Sequence, residues 1–487
     1  MYAMLGKYPV LPLTDNEFTD APNKELYDAI IVGGGGGGYH GGFELSRGGK
    51  SVMLVDDKGN LGGNCLYEGC IPSKSAAVTI YLMEKVRNIL RGSGNSNVKN
   101  LEMLWEDVMN HKDEVQSTRY RQHIREIKEH QNLDFVRGTA RFVDSHTLEI
   151  QSLDGSWKKT VSGKNTIIAT GSVASTIPVP GAELAIGSLE LFGYRTSYRN
   201  MPDSITIIGG GYIGVEVSSM LSSLGKSVTV LEMLPRIMGG WDSELVSEME
   251  KMLQKRNVNV ITGARVSGIK MNGRQKEVSY TMPDGKNGSL VSDEVIMAAG
   301  RKPYVEGLET LGIVKKGHVE VDSAMRTSLP NVYATGDVTG KYMLFHAAVK
   351  ESVIAAWNIL HGMPVYEFNY STVPVTVFTE PEASVVGIGE EEARARGIAY
   401  STVKYPLEDD AYAQIIGIKD GWLKLIVERE TQRIIGGSIY GDSASMVINE
   451  IALAIAGGTR VKDLAQLAHQ HPTIFESIDR TAVKFSV

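Results

Sequence analysis

The sequence predicts an α/β fold with two doubly wound units followed by a smaller α+β unit. Three observations carry this. A strand, a glycine turn, a helix, a second strand and a terminal acid occur in that order from Asp28 to Asp56. The same order returns from Ser204 to Glu232. Past Gly362-Met-Pro364 the composition shifts, and no such turn recurs. The chain has 487 residues, and a soft prior of about 150 residues per domain gives roughly three domains.

Each element follows from its residues. Asp28-Ala-Ile-Ile-Val32 is a short apolar run, as expected of a strand covered on both faces. Gly33 to Gly38 form the turn, Tyr39 to Arg47 the helix, and Ser51-Val-Met-Leu-Val55 the second strand, ending in Asp56. Helix-like sequence then runs from about Ser75 to Arg91 and from Leu101 to His130. Short strand-like runs follow at Asp134–Val136, Ala140–Val143 and Thr147–Ile150, and Thr166-Ile-Ile-Ala-Thr-Gly171 closes the region. In the repeat, Ser204–Ile208 is the strand and Gly209-Gly-Gly211-Tyr-Ile-Gly214 the turn. A helix covers Val215 to about Leu224, and Ser227–Leu231 ends in Glu232. Short strands and turns around Pro283–Gly288 lead to Glu294–Gly300. The last unit has strand-like runs at Thr372–Phe378, Trp422–Val427 and Ile434–Tyr440, with helices at Glu390–Arg396 and Ala444–Ala456.

Composition excludes several classes. Hydrophobic residues are 42% and charged residues 22%, the balance of a globular chain. Two cysteines rule out a disulfide scaffold and a cysteine-rich metal site, so no metal is expected. A net charge of −7 gives no reason to expect nucleic-acid binding. No apolar stretch reaches the ~18 residues of a membrane span. Lys7, Pro9 and Pro12 break the apolar start, and Asp15, Glu17 and Asp20 follow. A surface arm over residues 1–26 and a cytoplasmic location are the expectations.

The two turns carry the first chemistry. In G-x-G-x-x-G the first glycine makes the tight turn and the second lets backbone approach a pyrophosphate. The third lets helix pack on strand, and the phosphates sit at the helix N-terminus. Gly33, Gly35, Gly38 and Asp56 fill these roles in the first unit; Gly209, Gly211, Gly214 and Glu232 fill them in the second. Each acid is placed to meet ribose hydroxyls, and Glu232 opposes a 2′-phosphate, which favours NAD over NADP.

Cys65 and Cys70 stand in Gly62-Gly-Asn-Cys65-Leu-Tyr-Glu-Gly-Cys70-Ile-Pro-Ser-Lys74. On one ideal helix their Cα atoms would lie roughly 8.7 Å apart. That exceeds the ~7 Å that a disulfide spans. A bridge here must distort the first turn, and strained bridges are the labile, catalytic kind. A close pair in a protein without a signal peptide points to redox chemistry. Lys74 shares a helix face with Cys70, where its charge stabilises a thiolate or a reduced flavin.

These motifs, with Ala169-Thr-Gly171, Gly300-Arg-Lys-Pro303, Tyr333-Ala-Thr-Gly336-Asp337 and His469-Gln-His471-Pro-Thr-Ile-Phe-Glu476, resemble the pyridine nucleotide–disulfide oxidoreductases of the glutathione reductase type over residues 27–487. The resemblance implies an FAD-binding domain at 27–172 and 299–364, an NAD-binding domain at 173–298 and a dimerisation domain at 365–487. FAD would be held by Gly33, Gly35, Gly38, Asp56, Gly63 and Asn64, with Lys74, Thr170 and Gly171. Asp337, Met343, Leu344 and His346 complete that set. NAD would meet Gly209, Gly211, Tyr212, Gly214 and Glu232, with Gly300 and Arg301.

The resemblance also assigns roles. Cys70 is the thiol beside the flavin and Cys65 the interchange thiol. Lys74 pairs with Glu216 near the flavin. His471, oriented by Glu476, is the acid–base supplied by the partner subunit, so a homodimer is implied. A neutral imidazole of ordinary pKa ~6.5 takes a thiol proton near pH 7.

The activity this implies is FAD-dependent oxidation of protein-bound dihydrolipoamide with reduction of NAD⁺. The partner would then be a lipoyl domain of a 2-oxoacid dehydrogenase or related complex. The competing readings are a related disulfide or metal-ion reductase using NAD(P)H, and a flavin-loaded docking or sensor subunit. No C-terminal cysteine pair supports a mercuric-ion reductase, Glu232 opposes NADPH, and a pure binder needs neither cysteine nor His471. The chain departs from the family pattern in its all-glycine first turn, in Asn64, in Tyr67-Glu68 where Asn-Val is commoner, and in Tyr304.

Overall fold

The computed structural model describes residues 21–92 and 104–485. The predicted arm therefore lies outside the described residues as far as residue 20, and so do residues 101–103 of the second predicted helix.

The first sheet begins with β1 (Leu26–Val32), which runs parallel to β2 (Val52–Asp56) after the helix α1 (Tyr39–Arg47). Both strands are almost wholly buried, as their unbroken apolar runs require. The short helix α2 (Gly63–Tyr67) and the long helix α3 (Cys70–Gly92) follow, then α4 (Trp105–Lys128). Helix α3 starts at Cys70, earlier than the apolar periodicity suggested. The strands β3 (Leu133–Phe142), β4 (Thr147–Ser152) and β5 (Lys158–Ile168) complete the region, and β5 returns parallel to β1.

The strand β6 (Ser172–Ala174) and helix α5 (Ser188–Phe192) lead into the second unit. There β7 (Ser204–Ile208), α6 (Tyr212–Ser223), β8 (Ser227–Glu232), α7 (Ser243–Lys255) and β9 (Asn259–Thr262) repeat the first pattern. An antiparallel sheet of β10 (Arg265–Asn272), β11 (Gln275–Thr281) and β12 (Asn287–Ser292) sits beside it. Sequence reasoning saw only short strands and turns in that stretch, because these strands alternate weakly and stay half exposed. Then β13 (Glu294–Met297) closes a parallel sheet of order β13-β7-β8-β9.

The chain returns through β14 (Arg301–Pro303), which pairs antiparallel with β6. That two-stranded ribbon holds both connections between the units. After β15 (Val314–Lys315) and β16 (His318–Val319), β17 (Val332–Ala334) joins the first sheet beside β5. The helix α8 (Phe345–His361) packs on α1 so closely that a Cβ at Gly41 would meet the Ser352 carbonyl oxygen at 2.7 Å.

The last unit is a five-stranded antiparallel sheet of order β18-β19-β22-β21-β20. Its strands are β18 (Val375–Val377), β19 (Glu382–Gly387), β20 (Tyr400–Pro406), β21 (Trp422–Glu428) and β22 (Ile434–Gly441). β19 and β20 carry no strong apolar run and were not foreseen. Helices at Ala444–Ala456 and Glu476–Val483 pack on the sheet, and a short helix at Glu390–Ala395 follows β19. Among the described residues, no helix is long and apolar enough to cross a membrane.

Candidate active site

Both glycine turns are built alike at their ends. Gly33 and Gly209 each have φ +110°, the left-handed side of the map, which suits glycine. A Cβ on either would strike the carbonyl oxygen of Ala169 or Ala298, at 2.2 and 2.3 Å. A Cβ on Gly38 or Gly214 would lie 1.9 Å from the carbonyl oxygen of Gly33 or Gly209. The acids also behave alike. Asp56 Oδ2 accepts the Gly34 N–H at 2.8 Å, and Glu232 Oε2 accepts the Gly210 N–H at 2.6 Å. Each acid thus braces its own turn, a role the ribose argument did not foresee. Burial pushes Asp56 up to about 6.

The cysteines do not share a helix. Helix α2 ends at Tyr67, and the break at Glu68-Gly69 lets α3 begin at Cys70. Gly69 is required there, because a Cβ would lie 2.9 Å from the Asn64 carbonyl oxygen. Gln116 on α4 donates to the freed carbonyls of Leu66 at 2.8 Å and Tyr67 at 3.4 Å. The fully buried Lys112 holds Gln116 Oε1 at 2.9 Å. The break turns the two free thiols towards each other, Cys65 half-buried and Cys70 exposed, within reach of a hydrogen bond. That bond, with burial, pushes the Cys65 thiol well up. The same bond, against burial and with help from Lys74, draws the Cys70 thiol down. The pair is polarised, with the negative charge favoured at Cys70.

Lys74 Nζ lies 2.7 Å from Glu216 Oε2 on α6 and over the Phe378 ring. Burial works against its charge, yet Glu216 and Cys70 hold it above the ordinary lysine value. Glu216 Oε1 accepts the Phe378 N–H at 3.0 Å. Burial raises Asp337 above the usual carboxylate range, against the bond from Ser172 and the charge of Arg301. Arg301 turns onto Ser172, donating from Nε to Oγ at 2.8 Å and from Nη2 to the carbonyl at 3.0 Å.

One cavity of about 2930 Å³ joins these parts. It runs from Gly33, Gly35 and Asp56 past Gly63, Asn64, Cys65, Cys70 and Lys74 to Gly209, Gly211, Tyr212 and Glu232. Thr170, Gly171, Gly300, Arg301, Asp337, Met343, Leu344 and His346 also line it. Ligand pockets commonly measure roughly 300–1,000 Å³, so this volume suits more than one large ligand. A pyrophosphate can reach the N-terminus of α6, where a Cβ on Gly211 would meet nothing within 4 Å.

His471 and Glu476 lie elsewhere. His471 is exposed, with Nδ1 3.0 Å from Glu476 Oε2. Burial opposes the Glu476 charge, but the bonds from His471, the Thr473 N–H and Arg480 hold its carboxyl below the usual range. Neither residue lines the cavity that holds the thiols within one chain. Sequence reasoning also missed residues that the fold brings in. Gly138 to Arg141 line the cavity, and Thr335 Oγ1 donates to the Gly37 carbonyl at 2.6 Å. Buried Glu351 accepts from the Gly336 N–H and from the Tyr370 hydroxyl at 2.6 Å. Only Thr335 carried a signal, as part of the Tyr333–Asp337 motif.

Comparison with known proteins agrees with this architecture. The pyridine nucleotide-disulphide oxidoreductase family model matches residues 27–352, and that family's dimerisation domain matches 373–482, which supports a homodimer. A mitochondrial dihydrolipoyl dehydrogenase of Schizosaccharomyces pombe is 32% identical over 93% of this chain and 88% of its own length. The Geobacillus stearothermophilus dihydrolipoyl dehydrogenase is 33% identical over 92% and 94%. A solved Cu(II) complex of the HOCl-induced flavoprotein disulfide reductase RclA from Escherichia coli superposes with a TM-score of 0.83 at 26% identity. That match covers 95% of this chain and all of the other.

Proposed function

From the premise that the chain belongs to the pyridine nucleotide-disulphide oxidoreductases, enzymes of this kind using FAD and NAD(H), we propose that it oxidises protein-bound dihydrolipoamide and reduces NAD⁺. The observation that supports this reading is the placement of Cys65, Cys70 and the Lys74–Glu216 ion pair on one cavity with both glycine turns. The residues lining the cavity fit both cofactors. Gly33, Gly35 and Asp337 would hold FAD, and Gly209, Gly211 and Glu232 would hold NAD⁺, while Gly38 and Gly214 only pack behind the turns. Bound there, the flavin supplies a two-electron acceptor for the dithiol and a hydride donor for NAD⁺.

The chain's own residues do the rest. His471 of the partner subunit, with Nδ1 engaged by Glu476, takes the proton of one substrate thiol at Nε2. The thiolate attacks Cys65 Sγ of the oxidised pair, and Cys70 leaves as a thiolate. Lys74 stabilises that charge. The second substrate thiol attacks the substrate sulfur of the mixed disulfide, and its proton passes to Cys65, which leaves as a thiol. The substrate leaves as the disulfide, two electrons oxidised, and the pair is reduced. A lipoyl domain of a 2-oxoacid dehydrogenase or related complex is the partner this chemistry fits. A reducing compartment such as the cytoplasm suits a dithiol that must cycle.

A screen of dihydrolipoamide, glutathione disulfide and Cu(II) against NAD(H) and NADP(H) tests the reading. Dihydrolipoamide with NAD⁺ should dominate, and Cys65→Ser should abolish that turnover while FAD stays bound. Dominant turnover of glutathione disulfide or Cu(II) would overturn the substrate assignment.

A further inference from the structure

Glu68 stands between the two cysteines, where the family pattern more often has valine, and it is only 4% exposed. A buried carboxylate needs partners. Its partners are remote in sequence. Oε1 lies 3.1 Å from Arg301 Nη1, and Oε2 accepts the Ser188 hydroxyl at 3.0 Å.

Both partners belong to the attachment of the second unit. Arg301 is the first residue of β14, which pairs with β6 in the ribbon that carries both inter-unit connections. It also grips the opposite strand through Ser172, and Asn64, next to Cys65, donates to the same Ser172 carbonyl at 2.7 Å. Ser188 follows Ile186, which exchanges backbone bonds of 2.9 and 2.8 Å with Val295 and Met297 at the edge of the second sheet. One side chain from the redox loop therefore ties both the ribbon and the edge of the second sheet.

We propose that Glu68 is a positioning residue that couples the redox loop to the orientation of the NAD-binding unit. Glu68 lines the same cavity as the thiols and the second turn, and it acts through Arg301 and Ser188. The proposal rests on the reading of that unit as the NAD site, but not on the identity of the dithiol. Loosening the Glu68 tie should therefore shift nucleotide affinity.

The test is calorimetric titration of NAD⁺ into the oxidised, FAD-loaded protein, where no turnover occurs. Glu68→Gln should weaken NAD⁺ by roughly fivefold or more, the lower range of such couplings. Ser188→Ala should weaken it in the same direction by less, and the double variant should fall short of the product of the two. Amide hydrogen exchange over 172–174 and 301–303 should quicken in both variants. Should Glu68→Gln fail to load FAD, Ser188→Ala, which removes one hydroxyl, carries the test alone. Unchanged NAD⁺ affinity with altered reduction by dithiol would make Glu68 a local residue and overturn the proposal. A failed dihydrolipoamide assay would leave it standing.

Discussion

The two glycine turns share their first and third positions and differ between them. In the first turn a Cβ at Gly36 would enter the Phe345 ring at 2.7 Å, and one at Gly37 would lie 2.9 Å from the Thr335 carbonyl oxygen. In the second, Gly211 faces open space. The first turn is enclosed by α8 and the segment after β17, and those contacts demand its extra glycines. The second carries Tyr212 and Ile213 at those two positions, and Tyr212 is exposed. Enclosure suits a cofactor that stays, and openness suits one that must leave each cycle. The all-glycine run is thus a packing requirement of the first site as well as a phosphate turn.

The largest effect should come from adding one methyl to the enclosed turn. Gly37→Ala cannot move away from a backbone carbonyl, and overpacking of this kind costs about 1–3 kcal/mol. FAD content, read from the flavin absorbance of purified protein, should fall to a small fraction of wild type. A fully loaded Gly37→Ala protein would erase the contrast between the turns. The open turn should respond differently. Gly211→Ala should fold, keep its FAD and raise the KM for NAD⁺ by roughly tenfold, because the methyl fills space that the pyrophosphate approaches. Loss of FAD in Gly211→Ala would show that the second turn also supports the first site.

The smallest effect concerns the backing of the enclosed turn. Glu351 supports Gly336 from behind, and burial pushes its carboxyl up to about 7 from an ordinary 4.5. A carboxyl raised in the folded state stabilises fully below its ordinary range, and the contribution is lost as pH rises through about 7. Wild type should therefore lose on the order of 2 kcal/mol between pH 5 and pH 8 that Glu351→Gln does not lose. Melting temperatures of the two proteins at both pH values measure this. Parallel curves would remove Glu351 from the account.

Much of the fold was legible because each doubly wound unit is a local pattern. Strand, turn, helix and acid lie within about 30 contiguous residues, and the backbone demands of the turn select glycine directly. The thiol pair was legible for the same reason, since its spacing forbids one continuous helix. The strands β10, β19 and β20 were not legible: β10 is half exposed, and β19 and β20 mix polar residues into their runs, so none has a strong apolar signature.

The sequence by itself determined the two nucleotide turns, the paired cysteines with Lys74, and the His471–Glu476 pair five residues apart. Only the tertiary structure decided which groups meet across the chain. Glu68 finds Arg301 and Ser188, Gln116 finds the end of α2, Glu351 finds Gly336, and His471 stays away from the thiols of its own subunit. A turn or a helix break is a short-range steric demand that contiguous residues encode. The partner of a buried charge is set by how the units pack, and no local pattern carries that information.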